Sequence, residues 1–464
     1  MTDEVYRSIA QATSGYVEAP AGCGKTEAIV RTVGAYCEGR QLVLTHTHAG
    51  VDALRQRFRK HSVPNSDYHV DTIAGWSWGW VRKYPDNAGY AGSTEIAEWN
   101  DVYAAMQLLL QKEFVQKGIL NSYTGIIVDE YQDCTVPMHQ LIVALKALLP
   151  CRVLGDDLQG IFGFRDDPLV SWPDVTGEFL NNLGSLDTPY RWMKAGNEPL
   201  GRWLLGTRSN VRNGMEPDYR GSPIDTRSIR YADLGALLVG MTHDKEGRIC
   251  VIGPKARPLA AATETMLVNQ QYRVLEPNEL SALRDLVVAL SGGAESDKSD
   301  AAIAFLVRAH GGLPADDRRF IERILRKEQQ SPRRADRQSL CQMYTNGATP
   351  QLLYSLLHYI ENIDGTSCKL RESVSAFKCI AEEHFANGND LRTLYAEEIR
   401  KRKYQSRSSV YRCVGSTLLV KGLEFDHAII LRTANWQQSW GGHKDLYVAL
   451  TRGSSTATLI DVAN

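Results

Sequence analysis

Between Gly15 and Gly155, short runs of apolar, mostly β-branched residues alternate with longer stretches whose apolar positions return every three to four residues. A strand inside a parallel sheet is buried on both faces and reads as an unbroken apolar run, while each covering helix shows a single apolar stripe. The pattern predicts strands over residues 16–19, 41–45, 125–129 and 151–155. It predicts helices starting at Lys25, at Ala49 with Val51, Leu54 and Phe58 on one face, and at Val136 with Leu141, Leu145 and Leu148. The Trp-rich stretch 76–80 and residues 85–118 break the alternation and read as a small, mostly helical insertion, too short for a domain of its own.

A second alternation opens with a strand over 248–253 and a helix over 258–268, then stops. It resumes with strands over 410–417, 426–431 and 457–462. Residues 277–405 read as helices and loops, so the simplest architecture is α/β, with a helical domain inserted into a second sheet domain. Residues 290–300 (LSGGAESDKSD) are turn-forming and charged and are expected to form a flexible loop.

At 464 residues the chain has room for roughly three compact units, which excludes a single small binding module. Apolar residues at 43% and charged ones at 23% fit a globular protein and exclude wholesale disorder. Lys and Arg (53) balance Asp and Glu (54), so a nucleic-acid surface has to be a local stripe, and a histone-like binder is excluded. The acidic start and the lack of any apolar run approaching a membrane span make a cytoplasmic protein without a membrane partner the expectation. Nine scattered cysteines without a Cys-x-x-Cys pair are expected to be reduced thiols. The histidines offer no spacing for a structural zinc site.

Two segments carry chemistry. Glu18-Ala-Pro-Ala-Gly-Cys-Gly-Lys-Thr26 follows a predicted strand and opens a predicted helix, the context of a phosphate-binding loop. In such a loop the backbone of Ala21, Gly22, Cys23 and Gly24 cradles phosphates, Lys25 neutralises them from a solvent-filled loop, and the Thr26 hydroxyl holds Mg2+ beside ATP. Gly125-Ile-Ile-Val-Asp-Glu-Tyr-Gln-Asp133 places two carboxylates just past a buried strand, where ligands of open α/β sheets collect. Asp129 is expected to bind Mg2+ through a water and Glu130 to activate the attacking water. An isolated acidic pair at a strand end is as often a solvated turn; the phosphate loop upstream shifts the reading to ATP hydrolysis.

Four further segments complete an ordered series: residues 153–165 (VLGDDLQGIFGFR), Thr188-Pro-Tyr-Arg191, Lys421-Gly-Leu-Glu-Phe-Asp426 and Leu446-Tyr-Val-Ala-Leu-Thr-Arg452. The series resembles motifs I to VI of the superfamily 1 DNA helicases of the UvrD/Rep/PcrA group. The resemblance implies two RecA-like parallel-sheet P-loop domains, residues 1–80 with 119–187 and residues 188–276 with 406–464. It implies insertions over 81–118 and 277–405. It also implies that Gln159 senses the γ-phosphate, that Arg191 and Arg452 act as arginine fingers, that Glu424 contacts the ribose, and that Tyr190 lies near the adenine or its supporting shell. Phe162, Phe164 and Arg165 match the group's base-stacking positions, and His46 and Trp76 fall where motifs Ia and Ic place aromatics; Trp78 and Trp80 read as core. The basic stretches 318–337 and 400–403 read first as solvated faces.

The implied activity is an ATP-dependent translocase or helicase on single-stranded DNA, moving 3′ to 5′. The alternative is an ATP-switched regulatory or loading subunit of a nuclease complex, for example in phage defence, with little intrinsic unwinding. Departures lie on the DNA side: Ala49, Ala74 and Leu418 replace Lys, His and His of the group's pattern. With the short first insertion, they give a faint resemblance to helicase subunits of phage-defence operons such as Gabija, which work beside a nuclease subunit.

Overall fold

The computed structural model describes residues 2–92, 99–161, 168–243, 245–253, 272–275, 280–330, 334–404, 411–433 and 442–463. They divide into two compact units, Met1–Leu275 with Ser406–Asn464, and Glu276–Gln405.

Among the described residues the first unit holds two six-stranded parallel sheets. The first consists of β1 (Ser14–Glu18), β2 (Gln41–Thr45), β3 (Tyr68–Thr72), β4 (Gly125–Val128), β5 (Cys151–Gly155) and β6 (Asn182–Ser185), in the order β3-β2-β4-β5-β1-β6. Successive strand residues enter opposite cores. Leu42, Leu44, Ile126 and Val128 join one apolar cluster, while Val43 and Ile127 join the other with Ile29, Leu54 and Phe58 of the covering helices. That two-sided burial is why these strands read as unbroken apolar runs. Helices α1 (Thr2–Gln11), α2 (Lys25–Ala35) and α3 (His48–Lys60) flank the first three strands.

Strand β3 escapes the sequence pattern because it lies on the edge and alternates buried Tyr68, Val70 and Thr72 with half-exposed His69 and Asp71. It leads straight into α4 (Ile73–Val81), capped by the Thr72 hydroxyl accepting from Gly75 N–H at 2.8 Å. Then come α5 (Pro85–Ala88), α6 (Trp99–Leu110) and α7 (Glu113–Ser122). The expected insertion is helical, but it has no core of its own: Trp76, Val102, Met106 and Leu109 share one apolar cluster with Leu42, Ile126 and Val153 of the sheet.

This corrects the reading of Trp76 as a ring for stacking bases. Its side chain is 4% exposed, since the first turn of α4 faces the sheet, so no ring face is open to a base. Trp78 and Trp80 are partly buried against the same cluster, as expected. Trp76→Ala should lower unfolding stability by about 3–5 kcal/mol, the range for emptying a buried aromatic site. Chemical denaturation checks it, and a change below about 1 kcal/mol would contradict the packing.

Helix α8 (Val136–Lys146) lies between β4 and β5, and beyond β5 come α9 (Trp172–Glu178), α10 (Tyr190–Lys194), α11 (Glu198–Gly206) and α12 (Arg208–Arg212). The second sheet follows, with β7 (Asp225–Arg230), β8 (Ile249–Ile252), β9 (Arg273–Val274), β12 (Arg412–Gly415), β13 (Phe425–Thr433) and β14 (Gly453–Ala463) in the order β7-β14-β13-β8-β12-β9. The helix expected over 258–268 lies outside the described residues.

The unit Glu276–Gln405 is helical, with a small antiparallel pair of β10 (His310–Gly311) and β11 (Ser367–Cys368). Its core gathers Leu286, Phe305, Ile324, Leu356 and Phe377. The flexible loop expected over 290–300 is absent: helix Ser281–Gly292 ends there and helix Glu295–Ala309 begins, leaving only Gly293 and Ala294 between them. Glu295 and Asp297 occupy the first turn of the new helix, where carboxylates are favoured, and Ser299 bonds Leu325 O at 2.8 Å. Charge that looked like a loop is a helix start. In the Arg-rich stretch, Arg318, Arg323, Arg326, Arg334 and Arg337 each pair with a carboxylate, which favours a solvated, ion-paired face over a nucleic-acid track. Among the described residues no helix is long and apolar enough to cross a membrane.

Candidate active site

The turn between β1 and α2 is built on two left-handed glycines, Gly22 (φ 69°) and Gly24 (φ 86°). A side chain at Gly22 would also collide, because a Cβ there would lie 2.6 Å from the Trp192 ring. The turn is tied to the sheet by Ala19 N–H donating to Gly155 O at 2.8 Å, and Cys23 N–H donates to Pro20 O at 3.2 Å. Ala21 and Cys23 are buried, and burial pushes the Cys23 thiol up to about 12. Thr26 is the second residue of α2, at its N-terminal end.

Lys25 departs from expectation. It is only 9% exposed instead of reaching through a solvent-filled loop, because the carboxylates beyond β4 lie within its span. Its Nζ is 2.6 Å from Glu130 Oε2 and 3.6 Å from Asp129 Oδ1. Burial alone would lower its pKa, but Glu130 and then Asp129 outweigh this and hold the ammonium charged. The same neighbours split the carboxylates. Burial pushes Asp129 up, with Lys25 only partly opposing it. Glu130 is driven below the ordinary glutamate range, its burial being overcome by Lys25 and Lys421. Glu130 stands at φ 56° and receives a 2.5 Å bond from Gln132 Nε2.

A second cluster forms where β5 ends. Gln159 donates from Nε2 to Asp156 Oδ2 at 2.9 Å and accepts at Oε1 from Arg452 Nη2 at 3.2 Å. Arg452 is 2% exposed and also donates to Val448 O and the Thr451 hydroxyl. Burial, reinforced by nearby Arg191, lowers its pKa to about 10. Arg191 donates to Glu424 Oε1 at 2.5 Å and to Thr451 O at 2.8 Å, while its backbone N–H bonds Gly22 O at 3.1 Å. Arg191 in turn keeps the Glu424 carboxyl below its ordinary range. Tyr190 is 45% exposed and its ring lies beside Gly24.

The structure therefore gathers Lys25, Asp129 and Glu130 into one contact set, Gln159 with Arg452 into a second, and Arg191 with Glu424 into a third beside the Gly22–Gly24 turn. His46 is turned inward, its Nε2 3.4 Å from Cys134 Sγ, and burial with Lys421 nearby lowers its pKa to about 3. The residue is partly exposed. Phe162, Phe164 and Arg165 lie outside the described residues.

Several participants were missed in the sequence. Lys421, just ahead of β13 in the second sheet, is buried and bonds both Asp133 and the Gln159 carbonyl. Burial lowers its pKa, and pushes that of Asp133 up to about 6. Lys421 was visible at the head of a motif, but its partners are far away in sequence. Arg208 and Arg212 left only the signal of two arginines four residues apart.

Residues 2–165 match the protein-family model described as an AAA domain. This part of the chain is similar to AAA domains. No curated protein matches the chain. Solved structures that match include a complex of Arterivirus nonstructural protein 10 (helicase) with DNA, at 16% identity over 54% of this chain and 49% of that one, with a TM-score of 0.28. The crystal structure of Arterivirus nonstructural protein 10 (helicase) matches at 16% identity over 55% and 50%, with a TM-score of 0.30. The chain thus spans about half the length of these structures.

Proposed function

We propose that this protein is an ATP-dependent translocase or helicase on single-stranded DNA, moving 3′ to 5′. The observation that carries the reading is the ion pair of Lys25 with Glu130 and Asp129, placed on a phosphate-type loop and accompanied by the Gln159–Arg452 contact from the second sheet domain. The match of residues 2–165 to an AAA domain supports a helicase-like NTPase.

In this reading Lys25 leaves Glu130 for the β- and γ-phosphates, and Glu130, already ionised, is released to orient and deprotonate the attacking water. Gln159 sits between the γ-phosphate and Arg452, and Arg191 and Arg452 meet charge that develops as the phosphoryl group transfers. Glu424 holds the ribose and Tyr190 lies near the adenine. The oxygen donors Thr26 and Asp129 suit Mg2+, which when bound with ATP neutralises phosphate charge.

The test is ATP turnover by the full chain without nucleic acid and with single-stranded DNA, duplex or RNA. Stimulation by single-stranded DNA is expected; turnover indifferent to every nucleic acid would sink the proposal. Phe164→Ala should weaken single-strand binding by one to two decades, from about 1–3 kcal/mol of stacking per base. It should reduce DNA-stimulated turnover more than basal turnover. Parallel loss of both rates with a large fall in melting temperature would instead mark Phe164 as a core residue.

The burial of Trp76, which removes one expected DNA-facing ring, favours as a second reading an ATP-switched regulatory or loading subunit of a nuclease complex with little intrinsic unwinding. Strand displacement by the isolated chain separates the two: brisk unwinding supports the first.

A further inference from the structure

Helix α12 presents Arg208 and Arg212, one turn apart, to three carboxylates of the first sheet domain. Arg208 Nη2 lies 2.8 Å from Glu18 Oε1, 2.8 Å from Asp156 Oδ1 and 3.3 Å from Asp157 Oδ1. Arg212 grips Asp157 with two bonds of 2.8 Å and also reaches Glu18. None of these five residues is in the three contact sets at the phosphate loop, yet Asp156 bonds Gln159, which is, and Gln132, which in turn bonds Glu130. The Asp156 side chain is fully buried. Its Oδ2 accepts from Gln159 Nε2, and its backbone N–H donates to Gln132 Oε1 at 2.9 Å.

An ionised carboxylate only accepts hydrogen bonds, so it fixes which end of a neighbouring amide faces it. With Asp156 charged, Gln159 has to turn its NH2 group toward Asp156, which leaves its Oε1 for Arg452. A protonated Asp156 can donate, and the Gln159 amide is then free to flip and set its NH2 against the guanidinium. On the other side, Gln132 accepts from the Asp156 backbone and so directs its own NH2 to Glu130. Asp156 is thus the common support of both glutamines. A buried carboxylate keeps its charge only beside a cation, and Arg208 is the cation in direct contact.

We propose that Arg208 is a positioning residue for nucleotide hydrolysis: by holding Asp156 ionised, it sets the orientation of Gln159 toward Arg452. The inference rests on the ATPase reading above. The groups around Asp156 make the charge dependence specific. Lys25 acts on it from α2, Cys23 from the loop and Tyr447 from the second sheet domain, and Glu18 and Asp157 share Arg208 with it. Burial favours the protonated acid, Arg208 reverses this, and the Asp156 pKa ends below its ordinary value. Removing Arg208 leaves the burial without its main counterweight.

The experiment compares R208Q, R208K, D156N and the double variant R208Q/D156N in the full chain, reading kcat and KM for ATP across about pH 6.5–8.5. R208Q should lower kcat at neutral pH by about ten- to a hundredfold, the range for losing a hydrogen bond to a charged group, with KM much less affected. Its kcat should climb as pH rises and Asp156 ionises, whereas the wild type stays flat. R208K should restore much of the rate, and the double variant should lose the pH dependence. Thermal stability supplies an independent sign. In R208Q the folded pKa of Asp156 is raised above the unfolded one, so stability should fall as pH rises through the folded pKa, and the double variant should not show this.

A wild-type kcat in R208Q overturns the inference. So does a rate loss that is independent of pH and equally deep in R208K, which would mark a merely structural ion pair. A wild-type chain that hydrolyses no ATP refutes the functional reading instead, and the stability profiles alone then decide whether Arg208 sets the charge on Asp156.

Discussion

Replacing Lys25 with alanine is expected to abolish ATP hydrolysis and to make folding stability more dependent on pH near neutrality. The first effect follows from losing the charge proposed to neutralise the phosphates. The second follows from the geometry, since the ammonium lies against both Glu130 and Asp129 and holds Glu130 ionised. Without it, buried Asp129 and partly buried Glu130 lie side by side with less positive charge to keep both ionised, and Asp129, already pushed up by burial, takes up a proton near neutral pH. The variant's folded state then binds more protons than its unfolded chain, so its stability relative to wild type should decline as pH rises from about 6 to about 8. Steady-state turnover and melting temperatures at the two ends of that range check both effects. Turnover near the wild-type rate would remove the phosphate-loop assignment, and a pH-independent difference in melting temperature would remove the electrostatic account of Lys25.

Glu130→Gln should slow turnover at least a hundredfold while strengthening nucleotide binding. General-base contributions run to about 10²–10⁴ in rate. The gain in affinity comes from the ion pair: in the wild type, phosphate has to draw Lys25 away from a charged carboxylate 2.6 Å distant, and in the variant that competitor is neutral. Single-turnover rates and equilibrium binding of a non-hydrolysable ATP analogue separate the two quantities. Lost binding would give Glu130 a structural role.

The strands buried on both faces were legible in the sequence nearly to the residue, as β2 and β5 illustrate. The phosphate-type loop and the Asp129–Glu130 pair were legible for a related reason, because their chemistry is local and sits at strand ends. Burial of Trp76 was not, since a tryptophan at a helix start looks the same in sequence whether it faces a sheet or solvent. Strand β3 was hidden by its polar alternate positions, and the helix starting at Glu295 by acidic residues that also suit loops. What no local reading supplies is pairing across distance. The contacts Lys421–Asp133, Arg208–Asp156 and Arg452–Gln159 join residues more than fifty positions apart, and only the fold selects those partners.

The left-handed backbone of Glu130 sets stability against activity at a single position. At φ 56° a glutamate is strained by about 1 kcal/mol or more, whereas glycine adopts that conformation freely and asparagine more easily than most residues. The side chain best suited to the proposed chemistry is therefore not the one best suited to the turn. Backbone strain alone favours Gly or Asn at this site, the ion pair with Lys25 favours the carboxylate, and if Glu130 has the proposed role a library screened for turnover has to keep it even where one screened for folding need not.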